Sequence, residues 1–241
     1  MSNTEMLGDK KIGSLHPITQ IVREIYGTFR DLGFEIADGP ELEDEFHNFD
    51  ALNVPHDHPA RDMQDTFWIK KDANESKQHV LRTHTSSVQI RYLEAHKPPV
   101  RIIVPGKVYR NEATDATHEA QFHQIEALYV DKNVSLAHLK GVLELMFRKI
   151  FGDDVEIRFR PSFFPFVEPG VEVDMRWKGR WLEMGGAGLV HPEVFKAVKL
   201  DPNEWQGFAF GFGIDRLVML KFGIDDIRSL YNGDLRLINQ F

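Results

Sequence analysis

The segment between residues 110 and 126 combines residue types that suit nucleotide binding. Arg110, Asn111 and Glu112 end one predicted strand, a polar loop follows over residues 113–119, and a second strand begins near Phe122. An arginine can hold a phosphate through two parallel hydrogen bonds, and a phenylalanine can stack on a base. A solvated β-hairpin would show the same spacing, so this pattern alone leaves both interpretations open.

A glycine-rich stretch over residues 207–213 is followed by Ile214, Asp215 and Arg216. Glycines let a backbone approach a ligand closely, and the pattern predicts a strand that runs into a helix with Arg216 in its first turn. The stretch lacks the βαβ unit that surrounds a dinucleotide fingerprint. Alone, it is more typical of a kinked strand packed against a helix than of a binding site.

Aromatic residues are dense over residues 163–169, where the sequence reads Phe-Phe-Pro-Phe-Val-Glu-Pro. Such density usually indicates a hydrophobic core. The prolines, however, predict an extended segment, and Glu168 supplies a carboxylate near its end. The segment therefore suits either a core or an aromatic pocket with an acidic rim.

Hydrophobic periodicity predicts the elements that position these segments. Helices are expected over residues 17–32, 85–96, 136–151 and 214–222, and a helix with an irregular loop within residues 41–64. Strands are expected over residues 34–37, 66–70, 79–82, 100–105, 107–110, 121–130, 155–160, 171–177, 181–190 and 207–213. Residues 100–105 are expected to pair with residues 107–110. Most strand links are too short for parallel crossovers, so the sequence predicts an α+β fold with an antiparallel sheet flanked by helices.

Composition indicates one globular domain. Of the 241 residues, 42% are hydrophobic and 27% are charged, which is ordinary for such a domain. We expect a polar lead-in over residues 1–13 and one domain over residues 14–241.

Cysteine is absent, which excludes disulfides and thiolate metal sites and suits the cytoplasm. We expect no membrane span and no secretory signal. With 29 basic and 37 acidic residues, the net charge of −8 argues against a stand-alone nucleic-acid binder.

Three segments, in order, resemble the motifs of class II aminoacyl-tRNA synthetases. They are Gly39-Pro40 after a helix and strand, the Arg-x-Glu strand end at residues 110–112, and the glycine-rich strand with its helical arginine at residues 211–216. The intervening stretches, among them LRTHTSSVQIR, RFRPSFFPFVEPG and WLEMGGAGLVHPEVF, resemble the alpha-subunit family of bacterial phenylalanine–tRNA ligase from about His16 to Phe241. The coiled-coil arm with which that family grips tRNA has no counterpart among these residues.

The resemblance implies a fold and a reaction. The fold is a class II synthetase-like antiparallel sheet of six or seven strands flanked by helices. The reaction uses ATP and Mg²⁺ to convert phenylalanine to phenylalanyl-adenylate, and then transfers the phenylalanyl group to tRNA(Phe). The partners it implies are phenylalanine, tRNA(Phe) and a beta subunit, in an assembly of two alpha and two beta chains.

The resemblance also implies the residues of an ATP site. Arg110 would contact the α-phosphate and Arg216 the γ-phosphate, which makes these two the expected catalytic residues. Glu112 and His118 would belong to the ATP-binding motif, and Phe122 would stack on adenine.

An amino-acid pocket is implied in the same way. Phe164 and Phe166 would hold the substrate ring, and Ala209 would set the depth of the pocket. Gln124 and Glu126 would bind the ammonium group, with His84 and Ser86 around the carboxylate side.

For magnesium, the resemblance implies Glu168 acting with the beta subunit, and Glu183 is a weaker candidate. The remaining histidines have no convincing ligand spacing, so structural or loop roles are expected for His47, His56, His58, His79 and His191.

Two alternative functions are disfavoured by the residues present. A regulatory subunit with a synthetase-like fold should have lost a phosphate-binding arginine or a pocket residue, yet Arg110, Arg216 and Glu126 are all present. A synthetase for another amino acid is disfavoured because Phe164 and Phe166 suit a flat aromatic substrate.

Overall fold

The computed structural model describes residues 13–56, 66–71 and 77–241. Except for its last residue, the predicted polar lead-in lies outside these ranges, as does the end of the predicted loop within residues 41–64. None of the described helices combines the length and the apolar character that crossing a bilayer requires.

The elements follow the predicted order closely. The described helices are α1 (Pro17–Asp31), α2 (Glu45–Asn48), α3 (Ser86–Ala95), α4 (Leu136–Phe151), α5 (Pro192–Ala197), α6 (Ile214–Phe222) and α7 (Leu235–Ile238), with 3₁₀ turns at Asp50–Leu52 and Ile227–Leu230. The described strands are β1 (Glu35–Ile36), β2 (Leu42–Asp44), β3 (His79–Leu81), β4 (Val100–Tyr109), β5 (Gln121–Asp131), β6 (Glu156–Pro161), β7 (Val167–Trp177), β8 (Arg180–Val190) and β9 (Gln206–Gly213). The predicted helices at residues 136–151 and 214–222 are confirmed to the residue.

Most of these strands form one large sheet. In the described ranges, seven strands pair in the order β1-β4-β5-β9-β8-β7-β6, and β2 pairs with β3 in a small separate sheet. Every pair in the large sheet is antiparallel except β1–β4, which is parallel. The α+β prediction is confirmed, but the expectation of a wholly antiparallel sheet is wrong at this edge. The chain between β1 and β4 is long enough for the crossover that a parallel pair requires.

The larger of the two buried hydrophobic clusters packs on one face of the large sheet, and the smaller cluster packs on the other face. Phe208, Phe210 and Phe212 of β9 are buried on the side of α1 and α4, where Phe212 meets Phe147 edge-on with ring centres 5.4 Å apart and Phe210 lies 5.9 Å from Phe29. Because neighbouring side chains in a strand point to opposite faces, the intervening small residues of β9 face the other side of the sheet.

The predicted pairing of residues 100–105 with residues 107–110 is wrong, because both belong to the single strand β4. The pair Pro105-Gly106 looks like a turn in the sequence but continues the β4–β5 ladder, with Gly106 opposite Gln124. The N–H of Ala37 donates to the carbonyl of Ile103. The backbone N–H and C=O groups of the odd-numbered residues of β4 therefore point towards β1 and away from β5. Pro105 has no N–H to donate, but a donor at this position would face away from β5, so the β4–β5 ladder loses no hydrogen bond.

The predicted strand over residues 66–70 is reduced to an isolated bridge between Trp68 and Val80. The predicted strand over residues 79–82 is confirmed as β3. Gly33, expected to end the first helix, has a φ of +78°, the left-handed conformation that glycine favours at this position.

Candidate active site

The sheet face opposite α1 and α4 has a floor of small residues. On β9, Ala209, Gly211 and Gly213 lie opposite Leu128, Glu126 and Gln124 of β5. These small residues leave open space beside the polar side chains of β5. The alternation of phenylalanine with glycine or alanine along β9 therefore builds a core on one face and a cavity on the other.

Two adjoining cavities lie over this floor. The arginine cavity, of about 540 Å³, is lined by Arg110, Glu112, His118, Phe122 and Arg216 among others. The aromatic cavity, of about 620 Å³, is lined by His84, Ser86, Gln124, Glu126, Phe164, Phe166 and Ala209 among others. Arg110, Phe122 and Gly213 line both, so the cavities meet at these residues. The structure thus brings together all the predicted site residues except Glu168.

Arg110 stands at the junction of the two cavities. It directly follows β4, its Nε donates to the carbonyl of Thr83 at 3.3 Å, and its guanidinium carbon lies 5.0 Å from the centre of the Phe122 ring. Burial lowers the pKa of Arg110, and the charges of Glu112 and Glu126 oppose that shift. A guanidinium remains protonated at any physiological pH, so a buried cation is held where an anion would stabilise it.

Arg216 provides the second positive charge of the arginine cavity. It is exposed in the first turn of α6, where the helix dipole also favours an anion. Within the described part of the chain, its guanidinium makes no ion pair. Arg110 and Arg216 together can bind a chain of phosphate groups.

His118 is held by its own loop. Its Nδ1 lies 3.0 Å from both carboxylate oxygens of Asp115. Oδ1 of Asp115 also accepts from the backbone N–H groups of Thr117 and His118. These hydrogen bonds lower the pKa of Asp115. Asp115 was not among the predicted site residues, although an aspartate followed two residues later by threonine is a signal for such a turn.

Glu126 is the centre of a buried hydrogen-bond network. One carboxylate oxygen accepts from the N–H of Thr85 at 3.1 Å and from Nε2 of Gln124 at 2.8 Å. The other accepts from the hydroxyl of Ser86 at 2.5 Å and from Nε2 of Gln89 at 2.7 Å. Burial nevertheless raises the pKa of Glu126 to about 7.

This network revises the predicted arrangement around Ser86. Its hydroxyl was expected on the carboxylate side of the substrate, but it bonds to Glu126, the expected ammonium ligand. Gln89 was not predicted at all. It lies one turn after Ser86 on α3, a spacing that places both side chains on the same helix face. That spacing is the sequence feature from which Gln89 could have been predicted.

Two residues that line the aromatic cavity each carry a buried polar atom without a partner. Nδ1 of His84 and Oε1 of Gln124 have no hydrogen-bond partner in the part of the chain that the structure describes. Burial, assisted by the charge of Arg110, lowers the pKa of His84 to about 4, so this ring is neutral near pH 7. An unpartnered buried polar atom costs about 1–3 kcal/mol.

The aromatic wall of the cavity comes from a tight turn. The N–H of Val167 donates to the carbonyl of Phe164 at 3.3 Å, so the expected extended conformation is wrong at this point. The turn brings the Phe164 and Phe166 rings to 6.2 Å between centres, whereas Phe163 is 69% exposed. All three phenylalanines of the segment line the cavity, but only Phe164 and Phe166 are partly shielded from solvent.

A buried arginine links the first motif to this site. Arg82 donates to the carbonyl of Gly39 at 3.1 Å and to that of Lys107 at 2.8 Å. A Cβ on Gly106 would collide with the Arg82 guanidinium, so this position requires glycine. Arg82 was not among the predicted site residues, and its contacts are with residues distant in the sequence.

The comparisons with known proteins agree with this geometry. A family model described as tRNA synthetases class II core domain (F) matches residues 3–241. The chain is 52% identical over 231 residues to a phenylalanine–tRNA ligase alpha subunit of Laribacter hongkongensis, covering 95% of this chain and 68% of that protein. It is 53% identical over 232 residues to the protein of the same name in Colwellia psychrerythraea, covering 96% and 68%.

The chain belongs to the phenylalanine–tRNA ligase alpha-subunit family of class II synthetases. This confirms the resemblance predicted from the sequence. A solved pyrrolysyl-tRNA synthetase from Desulfitobacterium hafniense is similar with a TM-score of 0.69 and 19% identity, over 90% of this chain and 74% of that one. At this identity the similarity supports the class II fold alone.

The carboxylates near the cavities differ in how well they could bind magnesium. In nucleotide sites this ion usually takes oxygen ligands from one or two carboxylates and from the substrate phosphates. Glu168 is exposed and lines neither cavity. Glu183 lines the aromatic cavity, but it and Glu172 lie 3.5 Å and 2.6 Å from the Arg160 guanidinium. Glu112 lines the arginine cavity and makes no hydrogen bond or ion pair with any described residue. Glu112 therefore fits a phosphate-bound magnesium ion, and the role of Glu168 together with a beta subunit stays a prediction.

Two of the histidines for which structural or loop roles were expected make structural contacts. Nδ1 of His47 lies 2.6 Å from Asp44 and its Nε2 3.1 Å from Glu94, and His191 accepts the N–H of Glu193 at the start of α5. The cluster of Glu43, Asp44 and His47 is neutralised by Arg91 at 2.5 Å and Lys77 at 2.7 Å. His58 lies outside the described residues.

Proposed function

We propose that this chain activates phenylalanine with ATP and transfers it to tRNA(Phe), as the catalytic alpha subunit of a phenylalanine–tRNA ligase. The observation that carries the proposal is the junction of the two cavities at Arg110 and Phe122. In amino-acid activation, the substrate carboxylate must meet the α-phosphate of ATP. A cavity for an aromatic amino acid that opens beside Arg110, with Arg216 in the adjoining cavity, supplies that meeting point.

Phenylalanine would bind with its ring between the aromatic wall and the floor. Phe164 and Phe166 contact the ring, and Ala209 limits the depth. The ammonium group would bind at Glu126 and Gln124, which are hydrogen-bonded to each other and line the cavity. This pose places the substrate carboxylate towards His84 and Arg110.

ATP would occupy the arginine cavity, with adenine on Phe122 and the phosphates along Arg110 and Arg216. A carboxylate oxygen of phenylalanine attacks the α-phosphorus, and the bond to the bridging oxygen of pyrophosphate breaks. The carboxylate is already an anion, so no side chain has to remove a proton. Arg110 at the α-phosphate and Arg216 at the γ-phosphate stabilise the charge that develops on the phosphate oxygens. Positioning the two substrates provides much of the remaining rate enhancement.

Magnesium fits this site through Glu112. When bound, the ion supplies charge neutralisation to the phosphates of ATP. Glu112 would hold the ion beside Arg110. This carboxylate is available for a metal ion because it makes no hydrogen bond or ion pair with any described residue.

The second step transfers the phenylalanyl group to the terminal adenosine of tRNA(Phe). For this step we propose a cytoplasmic assembly of two alpha and two beta chains. Exposed apolar side chains support an interface between alpha chains near the first motif. Ile36 is 54% exposed, Leu42 49% and Phe46 39%.

The decisive experiment is ATP–pyrophosphate exchange by the purified alpha chain together with its beta subunit, with each amino acid supplied in turn. We expect exchange with phenylalanine and much weaker exchange with the others. Exchange that favours a different amino acid would overturn the substrate, and no exchange with any of them would overturn the catalytic role.

A further inference from the structure

A short C-terminal segment touches both walls of the arginine cavity. We define the clamp as residues 227–231, which comprise the 3₁₀ turn Ile227–Leu230 and Tyr231. At one end, the N–H of Ile227 donates to the carbonyl of Ala116 at 2.9 Å. Ala116 belongs to the loop over residues 113–119 that carries His118. The clamp therefore fixes the loop that forms one wall of the cavity.

At its other end, the clamp reaches the residue beside Arg216. The hydroxyl of Tyr231 donates to Oδ1 of Asp215, and the other oxygen of Asp215 accepts the N–H of His123 at 2.6 Å. Asp215 is 2% exposed. A buried carboxylate with two short hydrogen bonds has little freedom to move, and it directly precedes Arg216 in the first turn of α6.

His123 completes the network from β5. Its Nδ1 lies 2.9 Å from the Tyr231 hydroxyl, and the two rings are parallel to within 3° at 6.0 Å. Because the single hydroxyl proton goes to Asp215, the proton between His123 and Tyr231 belongs to Nδ1 of His123. His123 lies between Phe122 and Gln124, so the same network also fixes the strand that carries the expected adenine contact.

We propose that Tyr231 is a positioning residue for ATP, which holds Arg216 through Asp215 and aligns it with the loop over residues 113–119. The inference rests on the proposed function for the identity of the nucleotide. Tyr231 itself does not touch substrate in this arrangement. It acts because Asp215 and Arg216 are consecutive in one helical turn, so a shift of the Asp215 backbone displaces the Arg216 guanidinium.

The test compares Tyr231→Phe with Tyr92→Phe in the alpha chain assembled with its beta subunit. Both tyrosines are half-buried, and both hydroxyls bond to a carboxylate, since Tyr92 donates to Glu35 at 3.0 Å. The measurements are the dissociation constant of Mg–ATP by titration calorimetry, the KM values for ATP and phenylalanine in pyrophosphate exchange, and the melting temperature.

For Tyr231→Phe we expect the dissociation constant and KM for ATP to rise about tenfold, the effect of losing one hydrogen bond to a charged group. The KM for phenylalanine should not change, and Tyr92→Phe should match the parent in all kinetic values. Asp215→Asn should weaken ATP binding similarly, and adding it to Tyr231→Phe should produce less than the sum of the two effects.

Unchanged ATP binding in Tyr231→Phe would overturn the inference, as would equal increases in both KM values, which would indicate a general structural role. These outcomes are separate from failure of the proposed function. A parent assembly without phenylalanine-dependent exchange would contradict the function, while the calorimetric comparison would still decide whether the clamp positions the ATP site.

Discussion

The ring of Phe164 lies directly over the backbone of Gly186. A Cβ added to Gly186 would be 2.7 Å from Cζ of Phe164, a distance that no carbon pair tolerates without movement. The absence of a side chain on β8 thus sets the position of the aromatic wall of the cavity.

Gly186→Ala should therefore impair phenylalanine binding specifically. The added methyl group would push the Phe164 ring into the aromatic cavity, and we expect the KM for phenylalanine to rise about tenfold, in line with the 1–3 kcal/mol typical of overpacking. The KM for ATP should stay constant. Gly141→Ala is the control, because a Cβ there meets nothing within 4 Å on α4. Equal kinetics in the two variants would show that Phe164 does not contact the substrate.

Ala209→Gly should deepen the aromatic cavity. Ala209 faces the cavity from β9, and removing its methyl group would leave room for about one heavy atom at the far end of the substrate ring. We expect the variant to activate para-chloro- and para-bromo-phenylalanine while still activating phenylalanine. Tyrosine should gain less, since an apolar floor offers its hydroxyl no partner. Pyrophosphate exchange with these substrates is the measurement. If the variant discriminates as the parent does, Ala209 does not limit the depth.

Arg216→Ala should slow activation without unfolding the protein. Loss of a preorganised charge at the γ-phosphate is expected to cost about 3 kcal/mol, or roughly a hundredfold in kcat/KM for exchange. Arg236→Ala is a matched control, because Arg236 is exposed and pairs with Asp234 at 2.7 Å. Both variants should keep the melting temperature of the parent. Full exchange activity in Arg216→Ala would refute its assignment to the phosphate site.

Phenylalanine binding should weaken as the pH falls through 7. Burial raises the pKa of Glu126 from 4.5 to about 7, and only the ionised carboxylate attracts the substrate ammonium. The KM for phenylalanine should rise by about tenfold per pH unit below 7. His84 does not contribute, because burial lowers its pKa to about 4. Glu126→Gln should have a higher KM that is constant between pH 6 and 8.

The same pKa shift affects stability in the opposite direction. Between pH 4.5 and 7 the folded protein keeps a proton on Glu126 that the unfolded chain has lost. The contribution of this group to the free energy of unfolding therefore falls as the pH rises through this window. Denaturant titrations of the parent and Glu126→Gln should differ in this pH-dependence. Parallel profiles of the two proteins would show that Glu126 titrates normally.

The apolar surface at the first motif should mediate association of alpha chains. We expect the purified chain to have at least twice its monomer mass of 27.8 kDa by light scattering, and Leu42→Glu to reduce that mass. Leu235→Glu is the control, since Leu235 is 69% exposed on α7, away from β2. A fully active parent of monomer mass would contradict the proposed interface.

Local patterns predicted most of the fold. The predicted bounds of α4 are correct at both ends because its 3.6-residue apolar period is bounded by Ser135 and Gly152. The prediction of β9 is correct because glycines and aromatic residues alternate along it. The error at β4 has a local cause. Pro105-Gly106 is a turn signal when the sequence is considered alone, and only the position of β5 shows that the missing N–H falls on the free side.

The sequence predicted which residues line the site but not the hydrogen bonds among them. The motif resemblance named the residues that line the two cavities. It could not show that Ser86 bonds to Glu126, because 40 residues separate them and the contact depends on how α3 packs over β5. The clamp was missed for the same reason, since Tyr231 and His123 are 108 residues apart.

The alternation along β9 makes this strand sensitive to a change of length. A substitution at residue 209 or 211 acts mainly on the cavity, and one at residue 208 or 210 acts mainly on the core against α1 and α4. Deleting a single residue within the strand would exchange the two faces for every position beyond it. Phenylalanine rings would then fill the cavity, and glycines would leave holes against α1 and α4. The strand can thus accept point substitutions that retune selectivity, but it cannot accept an insertion or deletion without losing the fold and the site together.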